Sequence, residues 1–120
     1  MSISEKNIIY FLGVGGIGMS ALARYFYSKG YDVAGYDRVR TELSIELENS
    51  GILIHYLDDN LLIPEKFRNI KNKDRILIIC TPAIPVENKE LKWFKQNGFS
   101  IHKRAEILGE ITKNFVTLLF

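Results

Sequence analysis

The sequence predicts an α/β fold: a doubly wound parallel sheet sandwiched between helices, three layers in all. Three observations carry this. Short apolar runs alternate with segments of helical periodicity along all 120 residues. A glycine-rich turn joins the first such run to the first helix. Chemistry-bearing residues recur just after the apolar runs, the edge at which open α/β sheets bind ligands.

Ile8, Ile9, Tyr10, Phe11 and Leu12 form a continuous apolar run, as expected of a strand covered on both faces. Gly13-Val14-Gly15-Gly16-Ile17-Gly18 follows and fits G-x-G-x-x-G. In that motif Gly13 permits the tight turn, Gly15 lets a diphosphate approach the backbone, and Gly18 allows the helix to pack close to the strand. Free N–H groups and the positive dipole end of the next helix point at the turn, so an anion sits there without a lysine. Ile17, Ala21, Leu22, Tyr25 and Phe26 recur at helical spacing and are expected inward, with Gly30 as the stop. A lone G-x-G-x-x-G is weak, because glycines also mark ordinary turns. Here a strand precedes it, a helix follows, and Asp37 ends the next strand, Tyr31–Tyr36, about 20 residues on. A carboxylate at that tip accepts hydrogen bonds from ribose hydroxyls, which makes the segment a Rossmann-like nucleotide-phosphate site.

Thr41 reads as the N-cap of a helix through Asn49, with Leu43 and Leu47 inward and Gly51 as terminator. Ile52-Leu53-Ile54 is a short strand with His55 at its carboxyl end, where either a ligand contact or an ordinary core histidine fits. Asp58–Lys73 reads as short helical turns around Pro64 and then a polar connection. Ile76–Cys80 is a buried strand ending in Thr81-Pro82-Ala83-Ile84-Pro85, whose two prolines enforce an extended loop. Asn88 caps a helix from Lys89 to Asn97, with Leu91 and Phe94 inward. Phe99–His102 is a further strand. A helix opens at Lys103-Arg104-Ala105-Glu106 with Ile107, Leu108 and Ile111 inward; Arg104 suits either a ligand or a nearby acid. Val116–Phe120 has a strand pattern.

Composition narrows the function. A net charge of +2 is too small to argue for nucleic acid or an anionic membrane. The single cysteine, Cys80, excludes a disulfide framework and suits a reducing cytoplasm. No apolar run approaches the ~20 residues that span a bilayer, and no signal peptide is visible. No activated nucleophile, acid–base pair or metal-ligating cluster stands out.

Four places then match one family in order. They are the glycine motif continuing as Gly15-Gly16-Ile17-Gly18-Met19-Ser20, then Gly35-Tyr36-Asp37, then Thr81-Pro82-Ala83-Ile84-Pro85 with Asn88 and Glu90, then Arg104-Ala105-Glu106-Ile107-Leu108. Together they resemble the opening of the UDP-N-acetylmuramate–L-alanine ligases, among the ATP-dependent Mur ligases of peptidoglycan synthesis. Tyr36 stands where that family has serine. The resemblance implies a three-domain cytoplasmic enzyme in which this segment binds UDP-N-acetylmuramate, the central domain takes ATP and Mg2+, and the last helps bind the amino acid. It implies that Gly15, Gly16, Ile17, Gly18 and Met19 cradle the diphosphate, with Gly13 also at the UDP moiety, that Asp37 holds ribose hydroxyls, and that His55, Thr81, Ala83 and Ile84 line the uridine end. No G-x-x-x-x-G-K-[ST] occurs in the chain. The expectation is therefore an N-terminal binding domain over residues 1–114, with 115–120 starting the strand into an absent ATP-binding domain, binding no cofactor itself and inactive alone. A nicotinamide-binding domain of an oxidoreductase, or a nucleotide-sensing domain of a transport regulator, would share the first motif and Asp37. The ligase that recycles murein tripeptide shares the substrate class.

Overall fold

The computed structural model describes residues 6–119, with side chains described for residues 6–113. The chain runs β1 (Ile8–Leu12), α1 (Ile17–Ser28), β2 (Asp32–Tyr36), α2 (Glu42–Ser50) and β3 (Leu53–His55). Three 3-10 turns follow, Asn60–Leu62, Glu65–Arg68 and Ile70–Arg75. Then come β4 (Ile76–Cys80), α3 (Lys89–Gln96), β5 (Ser100–Lys103) and α4 (Arg104–Leu119). The five strands form one parallel sheet in the order β3-β2-β1-β4-β5. The strand order reverses between β1 and β4, and this switch point sets the site.

Alternation along the central strands builds two cores. Ile9 and Phe11 of β1, with Leu77 and Ile79 of β4, pack against Met19, Leu22 and Phe26 of α1, Leu47 of α2 and Ile107 of α4. Ile8, Tyr10 and Leu12, with Ile76 and Ile78, pack against Ile63 just after the first 3-10 turn, Phe67 of the second, and Leu91 and Phe94 of α3. Both faces of β1 are covered, as its unbroken apolar run required. The caps follow the sequence. Thr41 Oγ1 accepts from Ser44 N at 3.3 Å, and Asn88 Oδ1 accepts from Leu91 N at 2.9 Å.

Three expectations are corrected. The inward stripe of α1 is Met19, Leu22, Ala23 and Phe26, while Ile17 is 82% exposed and Ala21 and Tyr25 also face out. Both stripes satisfy the 3.6-residue period, and docking against Phe11 and Val33 selects one. Leu108 is exposed, whereas Ile107 is fully buried and Ile111 packs beside it. Residues 116–119 continue α4 as helix, and Phe120 lies outside the described residues. A short apolar run does not by itself distinguish strand from helix, and no proline interrupts the chain after Arg104.

Candidate functional site

A crevice of about 660 Å3 opens across the carboxyl ends of β1, β2 and β4. Gly13, Gly16, Met19, Asp37, Thr81, Ala83 and Ile84 line it, so the topology brings most of the sequence-derived site together. Tyr36, Tyr56, Asp58 and Asn88 line it too. Tyr56 and Asp58 immediately follow β3 at the carboxyl edge, and that position was the signal for them.

One wall is the glycine turn. Gly13 has φ +91°, and a Cβ there would fall 2.2 Å from Thr81 Cγ2, so the turn and the β4 loop interlock. Gly13 N and Val14 N both donate to Tyr36 O, at 2.8 and 3.1 Å. Asp37 binds the turn to β2: Oδ2 accepts from Gly15 N at 2.7 Å and Oδ1 from Val39 N at 3.1 Å. The space that a Cβ on Gly15 would need is filled by Asp37 Oδ2, 2.8 Å away. Gly18 contacts the guanidinium of Arg104, 2.4 Å from the Cβ position, so its bareness serves that side chain rather than helix–strand packing. The N-cap of α1 is Gly16, with no side-chain cap and no acid in the first turn. The first N–H groups of the helix have no intrahelical acceptor and face the open edge.

The opposite wall rests on a buried polar cluster. Glu90 is fully buried and accepts from the Tyr10 hydroxyl, and pairs with His55 Nε2 at 2.6 Å. It also receives Asp59 N at 3.4 Å. Asp58 accepts from Lys89 N and Glu90 N at 2.9 and 3.1 Å, adding a second cap to α3. Burial, with the Glu90 charge second, raises the Tyr10 hydroxyl well above its ordinary range. Burial also raises Tyr36, reinforced by Asp58, and its ring lies 5.8 Å from that of His55. The Tyr56 hydroxyl donates to Ser44 Oγ at 2.9 Å.

Gly15, Ile17, Gly18 and His55 are not on the crevice surface. His55 lies behind Tyr36 within the Glu90 cluster. The sequence reading missed that cluster because its members stand 35 to 80 residues apart. Burial raises the Cys80 thiol, keeping it protonated at neutral pH. Among the described residues no group of three His, Cys, Asp or Glu side chains is placed to hold a metal ion, and no helix is long and apolar enough to cross a membrane. What the crevice offers is recognition: amides for an anion, carboxylate oxygens for hydroxyls, and aromatic and aliphatic walls for a flat apolar group.

By fold this is a doubly wound α/β domain with its glycine turn at the switch point. A model of the Mur ligase family, catalytic domain, matches residues 8–116, and the chain belongs to that family. It is 42% identical over 118 residues to the UDP-N-acetylmuramate–L-alanine ligase of Cytophaga hutchinsonii, covering 98% of this chain and 25% of that one. It is 48% identical to the same ligase of Parabacteroides distasonis, covering 95% of this chain and 24% of the other. The crystal structure of the UDP-N-acetylmuramate-alanine ligase of Thermotoga maritima superposes with TM-score 0.74 at 30% identity, over 88% of this chain and 23% of that chain. The chain thus spans about a quarter of the length of the relatives it matches.

Proposed function

We propose that this chain is the UDP-N-acetylmuramate-binding domain of an ATP-dependent ligase that joins L-alanine to UDP-N-acetylmuramate in cytoplasmic peptidoglycan synthesis. The observation that carries the reading is the meeting of the glycine turn, Asp37 and the Thr81–Ile84 loop around one crevice, in a chain whose relatives carry that ligase name over nearly all of its length. The diphosphate lies against the amides of Gly16–Met19, the Gly15 N–H being taken by Asp37. Asp37 has lone pairs left for ribose hydroxyls beyond its two backbone bonds. Thr81, Ala83 and Ile84 line the uridine end, and His55 supports that end from behind Tyr36. Binding energy from the uridine and diphosphate positions the distant muramyl carboxylate for chemistry on other domains.

The residues present do not fit ATP or Mg2+. The sequence has no G-x-x-x-x-G-K-[ST], and among the described residues no group of three His, Cys, Asp or Glu side chains is placed to hold a metal ion. The central and C-terminal domains of the same enzyme would supply those sites, and this chain alone is expected to be inactive. The test is calorimetric titration of the 120-residue chain with UDP-N-acetylmuramate, and in parallel with NADH and NADPH. Saturable binding of the UDP-sugar, weakened at least tenfold in Asp37→Ala, with no nicotinamide binding, is the expected result. Nicotinamide binding without UDP-sugar binding would return the chain to the dehydrogenase-like class.

A further inference from the structure

Two side chains on the crevice are almost wholly buried and still hold a hydrogen-bond donor that no protein group takes. Tyr36 ends β2 and Asn88 caps α3; each is 5% exposed and each lines the crevice. Among the described residues neither the Tyr36 hydroxyl nor Asn88 Nδ2 has a hydrogen-bond partner, and no buried side-chain nitrogen or oxygen is both sealed and unpartnered. Both donors therefore open onto the crevice that their residues line. Asp58 and Tyr56, which line it too, are engaged: Asp58 takes the Lys89 and Glu90 amides, and the Tyr56 hydroxyl donates to Ser44 Oγ. The start of α3 is closed as well, since Asn88 Oδ1 takes the Leu91 amide at 2.9 Å.

That cap decides the chemistry of Asn88. It assigns the carboxamide: Oδ1 belongs to the helix, and Nδ2, which cannot accept, is left for the crevice. Burial first, and then the Asp58 charge, raise the Tyr36 hydroxyl above its ordinary range, so it keeps its proton at neutral pH. A ligand carbonyl satisfies such a donor, whereas a ligand amino group sets donor against donor in a desolvated place. We propose that Asn88, with Tyr36 as the second donor, selects the base of the nucleotide: a pyrimidine with a carbonyl at C4, as in uracil, is taken, and cytosine, with an amino group there, is rejected. This rests on the reading above that the ligand is a UDP-sugar.

The test is calorimetric titration of the chain and its Asn88→Asp, Asn88→Ser and Tyr36→Phe variants with UDP, CDP and UDP-N-acetylmuramate, beside thermal melts. Asp and Ser both keep an N-cap acceptor, so α3 stays capped. Asp puts an acceptor where Nδ2 was, and Ser puts nothing there. UDP and CDP carry the same diphosphate, so the ratio of their affinities cancels the effect of the added charge. The parent should prefer UDP over CDP by about tenfold or more. Asn88→Asp should abolish or reverse that preference. Asn88→Ser should shrink it to about threefold or less at nearly the parent's melting temperature. Tyr36→Phe should weaken UDP about threefold to tenfold. A purely capping Asn88 predicts that both Asn88 variants keep the parent's UDP-to-CDP ratio, and that result would overturn the assignment; unchanged UDP affinity in Tyr36→Phe would remove Tyr36 from it. A parent chain that binds UDP-N-acetylmuramate but does not distinguish UDP from CDP would overturn the assignment and leave the underlying reading standing. A parent chain that binds none of the three would overturn that reading and this assignment with it.

Discussion

The two walls of the crevice are built from different materials. The glycine wall is mostly backbone, with bare Cα atoms, free amides and one carboxylate that ties the turn to β2. The opposite wall is held by side chains from β1, β3, the segment after β3 and α3, meeting on one buried carboxylate. The first wall is suited to an anion because the first amides of α1 have no intrahelical acceptor and no acid stands in its first turn. The second is tied by hydrogen bonds onto Glu90; among the described residues no buried side-chain nitrogen or oxygen lacks a partner. Open amides recognise, and a closed network holds the shape against which recognition occurs.

The largest effect should come from breaking the network. Glu90→Leu leaves the Tyr10 hydroxyl, His55 and Asp59 N without their shared acceptor. It should cost about 3–5 kcal/mol in urea denaturation, with Glu90→Gln costing less. A loss below about 1 kcal/mol would show that the second wall is not held as described. Next comes Gly13→Ala, which forces a β-carbon into φ +91° and onto Thr81 Cγ2. Backbone strain and overpacking together predict about 2–4 kcal/mol. UDP-N-acetylmuramate binding should fall as well, because the Thr81 loop must move. Thr41→Ala removes one local cap beside Asp37 and should cost about 1 kcal/mol.

The smallest effect lies outside both walls. Hydrogen bonds from His102 first, and from the Lys103 N–H second, hold the Glu106 carboxyl below its ordinary value of 4.5. The stabilisation is complete above that value and is lost as pH falls through the depressed one. Glu106→Gln should flatten this part of the acid unfolding curve, being slightly less stable than the parent chain at pH 7 and converging with it as pH falls below the depressed value.

The same contrast explains what the sequence disclosed. The glycine wall was legible because its logic is local: a strand, a turn of fixed spacing, a helix start and an acid one strand later. The helix caps at Thr41 and Asn88 were legible for the same reason. The Glu90 cluster was not, since Tyr10, His55 and Glu90 look like core, edge and helix residues until the topology brings them together. The roles of Gly15 and Gly18 were half legible. Spacing marked them as bare, but only the fold reveals that Asp37 and Arg104 are their neighbours. Rotation of α1 and the helical state of residues 116–119 depended on docking and on the ambiguity of short apolar runs.

The central claim is that the glycine wall receives the ligand's anionic centre. Amide chemical-shift mapping during titration with UDP-N-acetylmuramate tests it most directly. The account predicts saturable shifts concentrated at Gly15, Gly16, Ile17, Gly18 and Met19, with Thr81, Ala83 and Ile84 following at the same ligand concentrations. Saturable shifts confined to surfaces away from this edge, with Gly15–Met19 unmoved, would contradict it.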